Sequence, residues 1–393
     1  MRRIQRIEIE NFKSLVDFKV DLPKFGCLIG LNGAGKSSVL QLIDFLSQLI
    51  RGDITGWLRE RKWRASELKS KLTKKTNITF QLQFSDENGE PAGSWYGVFN
   101  PGKLACVKER IDLSDCTLEV EGGEVTVSSK KTSPPSAMIK GQISFAYEGS
   151  ILSVLLESHL PPSLVEFKKY LAAVHSLDLL SPESLRQRTR ESSGSLGLGG
   201  QNLAAFVHEM GDLKRRRLVS DLRNAYPRLE DVGVTSLRSG WKQLWVSEKC
   251  EGHEAGIWPH IQTEARHVND GMLRLIAILA DLQSDHDFVL FDEIENGINP
   301  ELVEYVLGVL TATPKQVVVT THSPLILNYL DDETARESVI YLYKTSQGHT
   351  RAIPFFKIPS LAEKLTMMGP GEAFVDTNLT ELNAEIESLP VEP

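Results

Sequence analysis

A glycine-rich segment near the start of the sequence has the spacing of a phosphate-binding loop. Gly30-Leu-Asn-Gly-Ala-Gly-Lys-Ser37 matches the pattern G-x-x-x-x-G-K-[ST], in which backbone N–H groups turn towards phosphate oxygens and the following helix adds its N-terminal dipole. Lys36 is then expected to reach the β- and γ-phosphates of a nucleotide, and Ser37 to ligate Mg²⁺. The residues expected to hold the nucleotide are Asn32, Gly33, Gly35, Lys36, Ser37 and Ser38.

Two adjacent carboxylates follow a short apolar segment far downstream. Phe288-Val-Leu-Phe291 reads as a buried strand, and Asp292 and Glu293 come directly after it. Ligands of open α/β sheets bind at the carboxyl ends of the strands. We therefore expect Asp292 to share the Mg²⁺ with Ser37, and Glu293 to orient and deprotonate the water that attacks the γ-phosphorus. Without the phosphate loop, the same pair would read as two exposed acids behind a core strand.

A histidine ends a second apolar strand. His322 follows Val317-Val-Val-Thr-Thr321 and precedes Ser323-Pro324. A lone histidine at a strand end is more often structural, but after a second core strand it suits a sensor of the γ-phosphate. Lys36, Glu293 and His322 are therefore the candidate catalytic residues.

A further anion site is predicted at the start of a helix. Asn269 is a good N-cap, and an apolar stripe follows it at helical spacing. A helix N-terminus that carries Gly271 leaves N–H groups exposed to an anion. Gly271 lies 21 residues before Asp292. Kinases and GTPases have no reason to place such an element there, so the order of the motifs argues against both of these classes.

In this order the motifs resemble the ABC-type ATPase heads of the SMC/RecF-like group, especially the compact AAA-family members found in bacterial defence operons. Val268-Asn-Asp-Gly-Met-Leu-Arg274 is similar to the group's signature, often L-S-D-G-T-L-R. Glu295 to Pro300 looks like the D-loop, and Ile7 to Leu15 like the N-terminal strand and turn. Asn269 stands where the signature serine is usual, so an amide must replace its hydroxyl. The Q-loop glutamine is not identified, with candidates Gln81, Gln83 and Gln142.

The resemblance implies an α/β fold: an ABC-type ATPase head with a RecA-like parallel core sheet, an N-terminal antiparallel β-subdomain and a helical insertion. Residues 1–150 and 265–393 would form the discontinuous head, and residues 151–264 the mostly helical insertion. The resemblance also implies ATP and Mg²⁺ as ligands, ATP hydrolysis, and a homodimer or higher even oligomer. Two heads would sandwich two nucleotides, with Asn269 and Gly271 of one copy facing the phosphate loop, Asp292, Glu293 and His322 of the other.

Three functions remain open at this point. The first is an ATP-gated switch in an anti-phage or DNA-associated complex with a separate effector, a nuclease or a toxin. The second is a RecF-like DNA repair ATPase that binds double-stranded DNA through the basic segments Lys214–Arg217 and Arg59–Lys75, the latter with Trp63. The third is a slow, ATP-locked scaffold that sequesters a toxin, for which Asn269 is the motivating departure from the signature.

Composition sets the remaining expectations. A net charge of −8 gives no global nucleic-acid signature. No apolar run is long enough to span a bilayer and the first residues lack a signal peptide, which predicts a cytoplasmic protein without a membrane partner. Cys27, Cys106, Cys116 and Cys250 are scattered, which favours reduced thiols over a metal site.

Outside the motifs, four segments carry structural expectations. Residues 77–150 and 232–264 read as strand-rich, and Ser192–Gly200 as a mobile loop, because no strand precedes it as a dinucleotide fingerprint requires. The acidic segment Asp376–Pro393 reads as a solvated terminus.

Overall fold

The computed structural model of this protein describes residues 3–130, 136–177, 180–192, 194–249 and 260–388. The chain forms two compact units. The first contains residues Met1–Val174 and Leu330–Pro393, and the second contains residues His175–Tyr329.

The amino-terminal part of the first unit is rich in strands. Its strands are β1 (Arg3–Glu10), β2 (Phe18–Asp21), β3 (Phe25–Ile29), β4 (Ile78–Ser85), β5 (Pro91–Asn100), β6 (Ala105–Leu113), β7 (Cys116–Glu121), β8 (Glu124–Ser129) and β9 (Ser136–Gln142). Its helices are α1 (Lys36–Arg51), α2 (Ile54–Glu60) and α3 (Pro162–Ala172). The strand-rich segment predicted at residues 77–150 is therefore confirmed.

Eight of these strands form one antiparallel sheet in the order β2-β1-β4-β5-β6-β7-β8-β9. Along β4, the side chains of Phe80, Leu82 and Phe84 are buried and alternate with exposed glutamines, as expected of a sheet with one face on the core. The β7–β8 pair closes through Gly122 and Gly123, both in left-handed conformations. This sheet is the antiparallel β-subdomain that the sequence predicts.

The phosphate-loop strand is buried along its whole length. All five residues of β3 are buried, because a strand of a parallel sheet is covered on both faces. The next helix, α1, begins at Lys36 and ends at Arg51, and residues Val39, Leu40, Ile43 and Leu46 lie on its buried face. The strand and helix predicted on either side of the loop are both confirmed.

The second unit carries the downstream motifs. Its strands are β10 (Val174–Leu177), β11 (Leu229–Ser236), β12 (Lys242–Lys249), β13 (His260–Glu264), β14 (Phe288–Phe291) and β15 (Gln316–Thr320). Its helices are α4 (Pro182–Leu185), α5 (Leu203–Glu209), α6 (Asp212–Ala225), α7 (Asp270–Leu282), α8 (Pro300–Ala312) and α9 (Pro324–Leu327). Strands β14 and β15 are parallel neighbours, and β11, β12 and β13 form a separate antiparallel sheet.

The carboxyl-terminal part returns to the first unit. It comprises α10 (Asp332–Ser338), β16 (Val339–Lys344), β17 (Thr350–Pro354), α11 (Pro359–Lys364), α12 (Pro370–Val375) and α13 (Leu379–Ser388). Strand β16 runs parallel to β3 and antiparallel to β17. The first unit therefore contains the parallel pair β3–β16, and the second unit contains the parallel pair β14–β15.

The acidic tail is not simply a solvated terminus. Leu382 and Ile386 of α13 are buried, and Ser360 donates a hydrogen bond of 2.6 Å to Glu385. Apolar residues four apart on one helical face outweigh the acidic composition, because they bury surface against the fold. The prediction was therefore wrong for Leu379–Ser388, and residues 389–393 lie outside the described part of the chain.

The cysteines that the structure describes lie in the core. Cys27, Cys106 and Cys116 are buried and form no disulfide bond among the described residues, and Cys250 lies outside those residues. None of the helices in the described part of the chain is long and apolar enough to cross a membrane.

Candidate nucleotide site

The phosphate loop of the first unit has the backbone that its glycines permit. Gly33 has φ 77° and Gly35 has φ 113°, a left-handed region that glycine reaches without a steric penalty. A Cβ on Gly35 would lie 2.5 Å from the hydroxyl of Thr350, whereas a Cβ on Gly33 would meet nothing within 4 Å. The loop is therefore packed on the side of Gly35 and open on the side of Gly33.

The side-chain hydroxyl of Thr350 holds this loop in place by hydrogen bonds. This hydroxyl donates to the carbonyl of Ala34 at 2.9 Å and lies 2.9 Å from Ser14 Oγ. Lys344 Nζ donates to Thr350 Oγ1 at 3.0 Å. A threonine hydroxyl has one proton and two lone pairs, so these three partners saturate it. Thr350 is fully buried. It fixes the loop although it lies more than 300 positions after Ala34 in the sequence.

The charge of Lys36 is held inside the loop. Its ammonium group donates to the carbonyls of Gly30 and Leu31, at 2.7 and 3.2 Å, and the residue is only 5% exposed. The first turn of α1 contains no acidic residue and no side-chain cap. A lysine and an uncapped helix N-terminus together favour an anion at this place.

In the second unit, the two carboxylates lie where β14 ends. The Thr320 hydroxyl donates to Asp292 Oδ1 and accepts the N–H of Glu293 at 2.8 Å. Glu293 has φ 48°, a left-handed conformation that is uncommon for a residue with a side chain. The end of β15 thus fixes the turn that presents both acids.

The Glu293 carboxylate lies between two polar side chains. Its Oε1 is 3.5 Å from His322 Nε2, and its Oε2 accepts a hydrogen bond of 3.3 Å from Asn296 Nδ2. The side chains of Glu293 and His322 are 45% and 37% exposed, so a water molecule can reach them. This geometry suits a general base whose orientation is set by neighbouring donors.

The turn after the carboxylates is tied to the histidine segment. Glu295 Oε1 accepts hydrogen bonds from the backbone N–H groups of His322 and Ser323, at 2.8 and 3.2 Å. The position of the His322 backbone therefore depends on Glu295. Sequence reasoning placed Glu295 in the D-loop without assigning this contact.

The amino-terminal end of α7, where the sequence predicts an anion site, is exposed. Asn269 caps the helix, with its Oδ1 accepting the N–H of Met272 at 2.8 Å. Because the oxygen of the amide is used as the cap, the two Nδ2 protons are the donors that the side chain offers to a ligand. Asn269 and Asp270 are exposed, which leaves the helix N-terminus accessible.

Close packing explains the glycine at position 271. A Cβ on Gly271 would lie 2.7 Å from the carbonyl oxygen of Gly297, closer than real contacts allow. The start of α7 therefore touches the turn after the carboxylates through backbone alone. Arg274, one turn further along, donates to the carbonyls of Asn296 and Leu180 and strengthens the same junction.

Burial lowers the pKa of Arg274, while Glu293 and Glu295 are the leading acids that raise it. Arg274 is 7% exposed, so it links the helix to the acidic turn from inside the unit. Sequence reasoning counted Arg274 only as part of the signature. The sequence alone does not show that Arg274 is a buried cation beside several acids, because this depends on contacts between distant residues.

The structure therefore divides the predicted residues into two groups. The first unit holds those of the phosphate loop, namely Asn32, Gly33, Gly35, Lys36, Ser37 and Ser38. The second unit brings Asp292, Glu293 and His322 together, with Asn269 and Gly271 at the start of α7. Thr350 and Thr320 were missed, because neither has a sequence pattern that distinguishes it from an ordinary strand threonine.

Comparison with solved structures places this geometry in a known fold. A crystal structure of an Smc head bound to the C-winged helix domain of ScpA is 14% identical, with a TM-score of 0.53, and the match covers 89% of this chain and 96% of that chain. An Smc head domain with an extended coiled coil, derived from Pyrococcus furiosus and bound to the C-terminal domain of ScpA, is 13% identical with a TM-score of 0.52. That match covers 93% of this chain and 100% of the other.

The chain has the fold of an SMC-like, AAA-type ATPase head. Two family models match parts of it: "AAA ATPase domain" over residues 2–93, and "AAA domain, putative AbiEii toxin, Type IV TA system" over residues 262–328. The first match includes the glycine-rich loop before α1, and the second includes α7, the carboxylate pair and His322. Comparison with curated proteins gave no significant match. The predicted fold and the resemblance to an SMC-like head are confirmed.

Proposed function

We propose that this protein binds and hydrolyses ATP, and that two copies close head to head around two ATP molecules. The observation that carries the proposal is the environment of Glu293. Its carboxylate is oriented by Asn296 and faces His322, and its backbone is held by Thr320 in a conformation that costs energy. Strain of this kind persists where the surrounding structure over-determines it, and it is concentrated at functional sites.

Each residue has a defined part in the proposed reaction. The phosphate loop and Lys36 bind the β- and γ-phosphates of ATP. A water molecule attacks the γ-phosphorus while Glu293 accepts its proton, and the bond to the β–γ bridging oxygen breaks, giving ADP and phosphate. His322 would then donate a hydrogen bond to the γ-phosphate.

The donor set fits Mg²⁺. The Ser37 hydroxyl and the Asp292 carboxylate are hard oxygen ligands, which Mg²⁺ prefers. When bound, the ion neutralises negative charge on the phosphates. Thr320 holds the Asp292 side chain in place for this role.

The exposed start of α7 supports the dimer. Asn269 presents its amide donors at a solvent-accessible helix N-terminus, where the helix dipole favours an anion. In the proposed dimer this end of α7 binds the γ-phosphate held by the other copy. ATP would then stabilise the closed state, because it binds that state more tightly than the open one.

A trapped variant tests both parts of the proposal. Glu293→Gln removes the base but keeps the shape and hydrogen-bonding capacity of the side chain. With ATP and Mg²⁺, it is expected to bind nucleotide, to hydrolyse it at least about 100-fold more slowly than the wild-type protein, and to elute as a dimer with a light-scattering mass twice that of the monomer. A Glu293→Gln protein that binds no ATP, or that stays monomeric with saturating ATP, would contradict the proposal.

The contact of α7 with the nucleotide is tested by adding one charge. Asn269→Asp in the Glu293→Gln background keeps an N-cap oxygen but places a carboxylate against the γ-phosphate, so the ATP-dependent dimer should be lost. Asn88→Asp is the charge-matched control, because Asn88 is an exposed asparagine in the turn between β4 and β5 and belongs to none of the motifs. Equal dimerisation of the two double variants would argue against a role for α7.

The dimer is proposed to act as a switch for a separate effector, a nuclease or a toxin, in an anti-phage or DNA-associated complex. Closure on ATP and opening after hydrolysis would change the surface offered to that protein. The test is affinity purification of the tagged wild-type and Glu293→Gln proteins from the native host, with and without ATP. A partner held equally in all four preparations would exclude ATP gating.

Asn269 also supports an alternative function, a scaffold that hydrolyses ATP slowly and sequesters a toxin while ATP is bound. An amide replaces the hydroxyl of the usual signature serine, and the carbonyl of that amide is already used as the cap. A steady-state turnover well above about one per minute would exclude this alternative, since typical enzymes turn over faster still.

The structure gives the DNA repair alternative less support. In the segment Lys214–Arg217, Lys214 pairs with Asp285 at 2.7 Å and Arg215 with Asp231 at 3.0 Å. Charges already paired with carboxylates attract phosphate more weakly. Salt-dependent binding of duplex DNA that is lost on charge reversal at Arg216 and Arg217 would revive this alternative.

A further inference from the structure

Three side chains that the nucleotide site does not use converge inside the second unit. His175 lies on β10, Asp281 in the last turn of α7, and His286 in the segment that leads to β14. The Nδ1 atoms of both imidazoles lie close to Asp281 Oδ1, at 2.9 Å for His175 and 3.0 Å for His286. The two rings stack with centroids 4.4 Å apart, and one ligand atom from each residue lies within 4.8 Å of the others.

The carboxylate of this cluster is completely buried. Asp281 has 0% exposure, and its Oδ2 has no hydrogen-bond partner among the residues that the structure describes. Its Oδ1 already lies beside the Nδ1 atoms of both imidazoles, so Oδ2 is the oxygen that lacks compensation. A buried ionised carboxylate with one unsatisfied oxygen is costly unless a cation compensates it.

The nearest lysine is directed elsewhere. Lys315 Nζ donates to the carbonyls of Ser284, at 2.8 Å, and His286. It therefore fixes the backbone around His286 and leaves Asp281 Oδ2 without a hydrogen bond. Burial lowers the pKa of Lys315, and the charge of Asp281 raises it.

The second nitrogen of His175 is also held. His175 Nε2 lies 3.0 Å from Ser195 Oγ, and that hydroxyl accepts the N–H of Gly197 at 3.1 Å. A histidine that ligates a metal through one nitrogen usually donates the proton on its other nitrogen to an oxygen, which fixes the tautomer and the ring. Ser195 is placed to be that acceptor.

We propose that His175, Asp281 and His286 bind one divalent transition-metal ion, with Zn²⁺ as the best match to their chemistry. Two imidazole nitrogens and one carboxylate oxygen are ligands that zinc accepts readily. With metal–ligand distances of about 2.1 Å, the nitrogen–oxygen separations of 2.9 and 3.0 Å are short enough for one ion to contact each nitrogen and the oxygen. Each nitrogen would move about 0.4 to 0.5 Å away from the oxygen to reach the tetrahedral angles that zinc prefers. Both imidazoles bind through Nδ1 in their neutral form, with the proton on Nε2.

The arrangement of Asp281, His175 and Ser195 also resembles the order of groups in a serine hydrolase. Such a site needs backbone N–H groups directed at the oxyanion of the substrate. Here the N–H of Gly197 is directed at Ser195 Oγ itself, and a second imidazole shares the carboxylate. Two imidazoles beside one carboxylate oxygen supply the three ligands of a zinc site, whereas a hydrolase uses a single imidazole.

The ion would join three segments that are far apart in the sequence. It would tie the carboxyl-terminal end of α7, the helix that Asn269 caps, to β10 and to the segment before β14. The site does not depend on ATP binding or on the dimer, so its test is independent of the proposed function. Its expected effects are a higher melting temperature and a fixed carboxyl-terminal end of α7.

The test is metal binding by the full-length protein. After treatment with a chelator and its removal, the wild-type protein is titrated with Zn²⁺ and with Co²⁺, and the metal content of protein as isolated is measured by mass spectrometry. One saturable site per chain is expected, with a Co²⁺ visible spectrum typical of nitrogen and oxygen ligands. The absence of saturable one-to-one binding in the wild-type protein would overturn the proposal.

Variants identify the ligands. The double change His175→Gln with His286→Gln, and separately Asp281→Asn, should weaken Zn²⁺ binding by more than about 100-fold, since altering groups that only orient a ligand already costs about 10- to 100-fold. Ser195→Ala should weaken it by about 10-fold. His208→Gln, at an exposed histidine of the same unit, is the control and should bind as the wild type does. A correctly folded double variant that binds Zn²⁺ as tightly as the control would also overturn the proposal.

Discussion

The backbone N–H of Glu293 donates a 2.8 Å hydrogen bond to the hydroxyl of Thr320. The same hydroxyl donates to Asp292, so one threonine orients both members of the carboxylate pair. Its single proton and its lone pairs allow both bonds at once. The left-handed conformation of Glu293 is thus maintained from the neighbouring strand.

Replacing Thr320 by valine should separate catalysis from binding. Thr320→Val keeps the shape of the side chain but leaves the Glu293 N–H without its partner, which is expected to cost about 1–3 kcal/mol of stability. The ATPase rate should fall by about 10- to 100-fold, because small displacements of a catalytic group are costly. ATP affinity, measured by calorimetry, should stay within a factor of about three.

Thr320→Ser is the rescue variant for this test, since it restores the hydroxyl. It should recover most of the ATPase rate. A Thr320→Val protein with the wild-type rate would show that the hydroxyl does not position Glu293.

Asn269 predicts opposite effects for two substitutions. Asn269→Ser keeps an N-cap oxygen and supplies a hydroxyl donor, so we expect wild-type stability and a several-fold higher ATPase turnover. Asn269→Ala removes both the cap and the donor, and should cost about 0.5–2 kcal/mol of stability as well as most of the turnover. Thermal unfolding and steady-state kinetics on the same preparations measure the two effects. A drop in turnover with serine would show that the amide is the better donor here.

The contact between Gly271 and Gly297 predicts a steric effect. Gly271→Ala would place a methyl group 2.7 Å from the Gly297 carbonyl oxygen, so the turn after the carboxylates must shift, at a cost of about 1–3 kcal/mol. The ATP-dependent dimer should weaken in parallel. Gly308→Ala is the control, because Gly308 lies inside α8 with nothing within 4 Å of a Cβ. That change should stabilise the protein by about 0.5–1 kcal/mol.

Thr350 predicts an effect on ATP affinity. Thr350→Val removes the hydroxyl that contacts Ser14, Ala34 and Lys344, so the phosphate loop loses its support. ATP binding should weaken by about tenfold, equivalent to about 1.4 kcal/mol. Thr350→Ser should bind ATP almost as the wild type does. Equal affinity of the valine and serine variants, measured by calorimetry, would contradict this role.

The Asp281 carboxylate is expected to make the folding stability of the second unit fall at acidic pH. Burial would raise the pKa of Asp281, but attraction to His175 and hydrogen bonds with His175 and His286 hold that pKa below its ordinary value of 3.8 in the folded protein. The unfolded chain therefore binds the proton more readily, and stability is lost as the pH falls below about 4. The slope contributed by this group is at most about 1.4 kcal/mol per pH unit.

In Asp281→Asn that contribution is absent, so the dependence between about pH 5 and pH 3 should be shallower. Urea unfolding with a chelator present measures this without any contribution from a bound metal. Asp332→Asn, at an exposed aspartate, should leave the wild-type slope unchanged. If the free energy of unfolding of Asp281→Asn depends on pH as steeply as that of the wild type, other groups cause the loss of stability in acid.

Much of the fold follows from local sequence patterns. Fully buried parallel strands appear as apolar runs, so β3, β14 and β15 could be predicted together with the residues at their ends. The glycine pattern of the phosphate loop dictates its backbone directly. The cap at Asn269 could be predicted for the same reason, since it depends on residues within one helical turn.

The remaining contacts could not be predicted because their partners are distant in the sequence. Thr320 and Glu293 are 27 residues apart, and His175 and Asp281 are 106 apart. Neither pair has a spacing that a helix or a hairpin would impose. The helix α13 was hidden for a different reason, since its acidic composition masks the apolar spacing of Leu382 and Ile386.

The position of Thr350 bears on how the protein is made. The phosphate loop is translated early, but the hydroxyl beneath it and the neighbouring strand β16 are synthesised more than 300 residues later. A ribosome-bound or prematurely terminated chain that lacks this part carries the loop without its support. Full affinity for ATP would therefore arise only after residue 350 has been synthesised, and chains that stop before it would compete poorly for nucleotide.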